Sequence, residues 1–235
     1  MAEPAGNAIL DGLTLAARET VLSAGEIVPL ERGQILYDFD APVGHVWLPL
    51  SGLVSWITAA PDSMDIDAVE TAITGNEGFV GVQVLLEGGS VSGRSFVLIA
   101  GEALRIEAAQ LQALTNMVPG FLTCLNRYVL ALLVQTTQLS LCNRLHPMEG
   151  RCARWLLMCH DRMGGAAFDM THEALAQMLG VRRASVTVAL GTFSKAGMID
   201  SHYGQVRILD RAALERSSCA CYRVMRREYE RLLGS

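Results

Sequence analysis

The feature that most constrains this sequence is a change in hydrophobic period near residue 119. From about residue 22 to 108, short apolar runs alternate with glycine-rich turns, a pattern typical of an antiparallel sandwich or roll. From Phe121 to His146 there is no glycine or proline, and the apolar residues recur at helical spacing. The sequence therefore predicts an α+β chain whose strands come first and whose helices follow.

The first half contains seven candidate strands, separated by glycine- and proline-containing turns. They are the runs GEIVPL, QILYDF, HVWLPL, GLVSWITA, DAVETAIT, GRSFVLIA and ALRIEAA. Pro61 places a predicted hairpin tip at Asp62–Ser63. His45 stands alone between apolar neighbours, which favours a packing role over ligation. We therefore predict a β-roll, similar to a cupin-like sandwich, without catalytic residues.

A long helix is predicted after Pro119, which suits a first helical turn. Apolar positions at alternating steps of three and four form a heptad seam. The seam comprises Leu122, Leu125, Val129, Leu132, Thr136, Leu139, Asn143 and His146. The first six are the predicted dimer interface, although a helix packed on its own sheet would show the same pattern. Leu130, Leu133 and Leu141 lie outside the seam, which indicates that more than one face of the helix is buried. The helix can therefore pack on its own sheet and pair with a second chain at the same time.

A helix-turn-helix is predicted from Thr171 to Ile199. Thr171 can cap the first helix, and Gly180 supplies the turn. A wing, two short strands around Tyr203–Gly204, follows the second helix. The exposed face of that helix is cationic and rich in hydroxyls, as reading a major groove requires. The candidate DNA-binding residues are Thr171, Arg182, Arg183, Ser185, Thr187 and Lys195. A solvated helix hairpin in any helical domain is the alternative.

Charge is distributed unevenly along the chain, whose net charge is -5. Residues 1–150 hold 6 Lys and Arg against 16 Asp and Glu, a net of -10. Residues 151–235 hold 13 against 8, a net of +5, which suits a polyphosphate partner. No run of about 18 apolar residues and no export signal is present, so we expect a cytoplasmic protein without a membrane partner.

Six cysteines at irregular spacing are expected to be free thiols. Cys219 and Cys221 form a C-x-C, but no further ligand is close in sequence, so no metal is expected. Cys159, His160 and Asp161 are consecutive on a helix and point about 100° apart, so they cannot form a catalytic relay. Without a phosphate loop or nucleophile elbow either, an enzyme is not expected.

The order of these segments resembles the Crp/Fnr family of bacterial transcription regulators over about residues 20–235. The stretches that carry the resemblance are LERGQILYDFDAPVGHVWLPLSGLVSW, NRLHPMEGRCARWLL and THEALAQMLGVRRASVTVALGTFSKAGMI. It implies a β-roll sensor domain over 1–118, a central dimerisation helix over 119–147 and a winged helix-turn-helix over 148–235. It also implies a homodimer on a palindromic double-stranded operator, with RNA polymerase as a further partner.

The resemblance places Arg183 where the family commonly has a base-reading arginine. Ala184 and Val188 stand where the family often has an acidic residue and a second arginine. We therefore expect an operator that differs from the best-known family consensus.

The resemblance leaves the effector open. Arg94–Ser95 match the family's phosphate-binding pair, and Thr136–Thr137 align with the hydroxyls that contact the base. The ribose-binding glutamate is missing, since Val82 or Gln83 stands near its place. A cyclic nucleotide or another small effector is therefore a tentative ligand of these four residues. The first cysteine is Cys124, which argues against an N-terminal iron–sulfur sensor. The alternative function is a metabolite-sensing module whose helical domain contacts protein.

Overall fold

The chain divides into two units, and the long helix contributes residues to both. The computed structural model describes residues 5–59, 68–90, 92–164 and 167–234. The first unit comprises residues 1–56, 73–134 and 227–235, and the second comprises residues 57–72 and 135–226. The predicted hairpin tip at Asp62–Ser63 lies outside the described residues.

All seven predicted strands are present in the first part of the chain, accompanied by short helices that the sequence analysis did not predict. In chain order the elements are α1 (Ala8–Asp11), α2 (Leu15–Ser23), β1 (Glu26–Leu30), β2 (Ile35–Tyr37), β3 (His45–Pro49), β4 (Leu53–Ala59), β5 (Ala68–Thr74), α3 (Val82–Leu85), β6 (Arg94–Ile99), β7 (Gly101–Glu107) and α4 (Ala108–Met117). The strands form one sheet of order β1-β7-β3 and another of order β2-β6-β4-β5. The pairs β1–β7, β3–β7 and β2–β6 are antiparallel.

The roll closes on a core of aliphatic and aromatic side chains. Val46, Leu48 and Leu104 are fully buried, because alternate residues of paired strands point to the same face. Asn7 ties the N-terminal helix to this core. Its side-chain oxygen accepts from the backbone N–H of Ile9, while its amide donates to the Pro49 carbonyl at 2.8 Å. The N-terminal segment is therefore fixed to the roll by a buried polar side chain.

The long helix α5 (Phe121–Leu145) begins two residues after Pro119, close to the predicted start. No single helix among the described residues is long and apolar enough to cross a bilayer. The two helices α4 and α5 pass that test of length and composition only as a pair, and they are bent by 117° at their junction.

The second part of the chain is mainly helical, with a small three-stranded sheet. Its elements are α6 (Met148–Arg162), β8 (Phe168–Asp169), α7 (His172–Leu179), α8 (Arg183–Lys195), β9 (Ile199–His202), β10 (Gln205–Ile208), α9 (Arg211–Ser217) and α10 (Ala220–Leu233). The sheet order is β8-β10-β9, and both pairs are antiparallel. The predicted α+β class, with antiparallel strands first, a long helix next and a helix-turn-helix last, is confirmed.

Replacing Gly78 by alanine is expected to destabilise the first unit. A Cβ built at Gly78 would lie 1.9 Å from Cε2 of Tyr128, a buried ring whose hydroxyl is hydrogen-bonded to Thr74 Oγ1 at 2.7 Å. The hydrogen bond to Thr74 and the contact with Phe79, at 5.3 Å between ring centroids, fix that ring. The collision should therefore cost about 1–3 kcal/mol of unfolding free energy. Urea unfolding followed by circular dichroism measures the loss. The matched control is Gly44→Ala, which meets nothing within 4 Å and should change little. Equal stability of both variants would contradict the packing described.

Candidate nucleic-acid interface

Helices α7 and α8 are joined by a short turn whose geometry the sequence dictates. The Thr171 hydroxyl accepts a hydrogen bond from the backbone N–H of Ala174 at 3.1 Å, so the predicted cap is present. Gly180 ends α7 with φ 63°, a left-handed conformation that glycine adopts without steric cost. The pair thus has a defined start and a defined turn.

The inner faces of the two helices are apolar and buried. The residues that form this contact are Leu175, Met178 and Leu179 on α7 and Val186, Leu190 and Phe193 on α8. Their spacing of three and four places them on one side of each helix. Packing of this side sets the crossing of the helices and leaves the opposite side of α8 facing solvent.

The predicted DNA-binding residues are all exposed, but they do not all lie on α8. Thr171 caps α7, Arg182 occupies the N-cap position of α8, and α8 itself carries Arg183, Ser185, Thr187 and Lys195. The Arg183 Nε lies 3.9 Å from an oxygen of Glu173, and both side chains are more than two-thirds exposed, so the pairing is weak. The Thr187 hydroxyl lies 3.0 Å from His172 Nδ1. The structure therefore brings Arg182, Arg183, Ser185 and Thr187 together at the beginning of α8, whereas Lys195 lies at the opposite end of that helix.

The wing projects a single aromatic side chain. Tyr203 and Gly204 both have positive φ, at 52° and 78°, as a two-residue hairpin turn of type I′ requires. The side chain of Tyr203 is fully exposed, and Arg207 on β10 is exposed as well. Sequence reasoning identified the turn but did not include His172, Tyr203 or Arg207 among the site residues. His172 is the first residue of α7, and Tyr203 and Arg207 belong to the wing. Only the fold shows that these residues lie in the same part of the domain as α8.

A buried hydrogen bond joins α6 to strand β5 within the second unit. Trp155 on α6 is 1% exposed, and its indole N–H donates to Glu70 Oε1 at 2.6 Å. Arg151, also on α6, donates to the carbonyl of Leu179, the last residue of α7. These contacts link α6 both to the end of the β4–β5 pair and to the helix-turn-helix.

The residues Cys159, His160 and Asp161 serve packing and charge pairing. Asp161 accepts from the Tyr222 hydroxyl at 2.9 Å and pairs with Arg211 at 2.5 Å. Burial lowers the pKa of His160, and the Arg211 charge lowers it further. Cys159 is fully buried, and burial raises the pKa of its thiol. Their roles agree with the exclusion of a catalytic relay.

Aromatic side chains line a small cavity in the described part of the β-roll. The cavity beside Tyr37, Trp56, Phe79 and Ser95 measures about 10 Å³, which is room for about one water molecule. Tyr37 and Trp56 meet edge to face at 6.3 Å, and burial raises the pKa of Tyr37. A ligand the size of a nucleotide would have to displace these rings.

The tentative effector residues have structural partners instead. Arg94 forms a bidentate ion pair with Asp38, at 2.8 and 3.2 Å, and stacks over Phe39 at 5.1 Å. Hydrogen bonding to Arg94 lowers the pKa of the Asp38 carboxyl. Ser95 is buried and lines the small cavity. Thr136 is half-buried and Thr137 is exposed on the part of α5 that belongs to the second unit.

The predicted seam of α5 is largely buried within the chain. Leu125, Leu132 and Leu139 are buried, whereas Leu122 is exposed and Val129 is half-buried. A second apolar set lies within an arc of about 140° on the other side of the helix, at 100° per residue. It consists of the exposed residues Leu122, Leu130, Leu133, Leu141 and Leu145, which we call the outer leucine face. A heptad pattern identifies apolar positions but does not distinguish a partner chain from the rest of the same chain.

Comparison with known proteins agrees with this geometry. Residues 150–217 match the Crp-like helix-turn-helix domain family. No curated protein matches the sequence. FixK2 from Bradyrhizobium japonicum is 17% identical, with a TM-score of 0.69, over 83% of this chain and 98% of its own.

Two described regulators match similarly. CLP of Xanthomonas campestris, a c-di-GMP responsive global regulator, is 18% identical over 83% of this chain and 99% of its own, with a TM-score of 0.66. TTHA1359 of Thermus thermophilus, a transcriptional regulator of the CRP/FNR family, is 20% identical over 82% and 98%, with a TM-score of 0.65.

These findings agree with a DNA-binding domain in the second part of the chain. The chain has the fold of Crp/Fnr regulators and carries a Crp-like helix-turn-helix domain over residues 150–217. The helix-turn-helix predicted from the sequence is thereby confirmed.

Proposed function

We propose that this chain is a sequence-specific transcription regulator that binds double-stranded DNA as a homodimer. The observation that carries the proposal is the exposed face at the start of α8, where Arg182, Arg183 and Ser185 project into solvent beside the wing. A helix presented in this way fits a B-DNA major groove, which is about 12 Å wide. The proposed place of action is the cytoplasm, where such DNA is found.

The exposed side chains divide into two roles under this proposal. Arg183 is the candidate for a bidentate contact to guanine, since its guanidinium is held only by the weak contact with Glu173 among the described residues. Thr171, Lys195 and the wing residue Arg207 are candidates for phosphate contacts, which position the protein without reading sequence. Val188 is 64% exposed one turn after Ala184 and can meet a thymine methyl group.

Mobility shift with genomic fragments tests the function. Selective retardation whose affinity falls steeply with added salt is expected, because each neutralised phosphate releases counterions. Absence of retardation at low salt would favour the alternative, a metabolite-sensing module whose helical domain contacts protein. In the described part of the roll, the space beside Tyr37 and Trp56 holds about one water molecule, so a small-molecule site there would require these rings to move.

Gating by a cyclic nucleotide receives no support from the same cavity, and Arg94 is already paired with Asp38. An effector at this cavity would be smaller than a nucleotide, or would bind only after Tyr37 and Trp56 move. Recruitment of RNA polymerase remains a proposal drawn from the family resemblance.

The proposed dimer contact is the outer leucine face of α5. Leu133, 57% exposed, lies near its middle, and exposure of several large aliphatic side chains on one helix marks an interaction surface. A palindromic operator would then be read by two α8 helices about one turn of DNA apart.

Leu133→Glu is expected to convert the dimer into a monomer, because pairing would bury two carboxylates in an apolar contact. Sedimentation velocity at micromolar concentration measures the change, and affinity for a palindromic site should fall by at least tenfold. Leu86→Glu, at a leucine 62% exposed on the roll, is the matched control and should remain dimeric. A dimer that survives Leu133→Glu would place the contact elsewhere.

A further inference from the structure

Four metal-binding side chains meet within the second unit although they are far apart in sequence. Cys142 lies in the last turn of α5, and His146 follows it four residues later, on the same side. Cys219 directly precedes α10, and Cys221 lies in its first turn. One ligand atom from each residue lies within 4.8 Å of all the others.

The spacing of these atoms fits a single small cation. The Cys142 and Cys219 sulfurs are 3.3 Å apart, and the Cys221 sulfur is 3.5 Å from His146 Nδ1. With Zn–S bonds of about 2.3 Å and Zn–N bonds of about 2.0–2.1 Å, a tetrahedral site separates its ligand atoms by roughly 3.5–3.8 Å. Small side-chain movements would therefore place an ion at the centre of the four.

The surroundings of the cluster carry buried positive charge. Arg154 is 2% exposed, and its Nε has no hydrogen-bond partner among the described residues. The buried Nε of Arg151 is also unpartnered in that part of the chain. A buried cation without a counter-ion is costly, so an anionic group is expected close by.

The thiols of the cluster lie close to these arginines, whose charges act on them. The hydrogen bond between Cys142 and Cys219 lowers the pKa of Cys142 and raises that of Cys219, while burial raises the pKa of Cys221. Burial lowers the pKa of Arg151, while the charges of Cys142 and Cys219 act in the opposite direction. Three thiolates and one neutral imidazole around a divalent ion have a net charge of about −1. That charge complements the arginines.

We propose that Cys142, His146, Cys219 and Cys221 form a Cys₃His site for a thiophilic divalent cation, specifically Zn²⁺. Binding forms three Zn–S bonds and one Zn–Nδ1 bond. The thiols release three protons to solvent, and no electrons are transferred. Cys142, Cys219 and Cys221 are buried and His146 is half-buried, so the imidazole edge is the route of entry.

The site would fasten the end of α5 to the start of α10. Four ligands with no open position indicate a structural ion rather than a catalytic one. The sequence alone does not indicate a metal, because no further ligand lies near Cys219 and Cys221 along the chain. Cys142 lies 77 residues from Cys219, so only the fold reveals the cluster. This inference does not depend on the proposed DNA binding.

Metal titration of the full-length reduced protein tests the site. We expect about one Zn²⁺ per chain by mass spectrometry of the desalted protein. Co²⁺ should give the intense visible bands of a tetrahedral ion together with thiolate-to-cobalt charge transfer. Cys219→Ser and His146→Gln should each weaken Co²⁺ binding by at least tenfold. Chelation should lower the unfolding temperature of the wild-type protein but not that of these variants.

Matched controls distinguish the site from general thiol or imidazole binding. Cys124→Ser and His45→Ala alter half-buried residues of the first unit and should leave the cobalt spectrum unchanged. If Cys219→Ser does not fold, His146→Gln at the more exposed edge decides the question.

An octahedral cobalt spectrum, or a tetrahedral one that persists in both variants, would overturn the proposal. So would exclusive formation of a Cys142–Cys219 disulfide under mild oxidation without metal uptake by the reduced protein. Because none of these measurements uses DNA, failure of the metal site and failure of the proposed DNA binding are separate results.

Discussion

Replacing Arg183 by alanine is expected to abolish operator preference while leaving the dimer intact. The side chain is exposed at the start of α8, and its weak contact with Glu173 contributes little to stability. A bidentate arginine–guanine contact is worth about 1–3 kcal/mol of discrimination. The loss per half-site is then roughly 5- to 150-fold, and two half-sites multiply it.

Competition binding measures this effect, with the preferred fragment set against a scrambled one at fixed salt. Arg223→Ala removes the same charge from an exposed position on α10 and serves as the matched control. Lys195→Ala should instead weaken binding to both fragments alike and reduce the salt dependence. Unchanged selectivity in Arg183→Ala would remove this residue from base reading.

Replacing Trp155 by alanine is expected to cost about 3–5 kcal/mol of the stability of the second unit. The ring is 1% exposed, and its N–H donates to Glu70 Oε1 at 2.6 Å. Alanine would leave a cavity and remove that hydrogen bond. The amide protons of α6 and α7 should exchange roughly 150- to 5,000-fold faster, since exchange of core amides reports local unfolding free energy at about 1.4 kcal/mol per tenfold.

Trp155→Phe is the matched control because it keeps most of the volume and loses the donor. Its cost should be smaller, about 1.5–3 kcal/mol, the usual value of a hydrogen bond to a charged group. Equal exchange rates in Trp155→Ala and the wild-type protein would contradict the supporting role assigned to this side chain. Exchange is measured peptide by peptide because a chain of two units need not unfold in one step.

Strands, turns and helix caps that depend on residues close together in the sequence could be predicted from it. All seven strands are found where alternation and glycine turns indicated, and the Gly180 turn and Thr171 cap are as expected. These features depend on neighbours a few residues away. The four-residue helices α1 and α3 could not be predicted, because so few residues cannot show a period. The longer α2 and α4 were also not predicted.

Features that depend on distant residues could not be predicted. The heptad of α5 does not reveal that Leu125 and Leu132 are buried while Leu133 is exposed. Arg94 matches a ligand-binding motif, yet its guanidinium forms an ion pair with Asp38, which lies 56 residues away in the sequence. In each case the decisive neighbour comes from another part of the fold.

The close packing of Tyr37 and Trp56 has a consequence for how such a regulator could be controlled. Because these rings meet edge to face, a metabolite could enter beside them only by moving a ring. Its binding would then be coupled to a rearrangement of β2 and β4, which is the kind of difference between two states through which a ligand shifts a population.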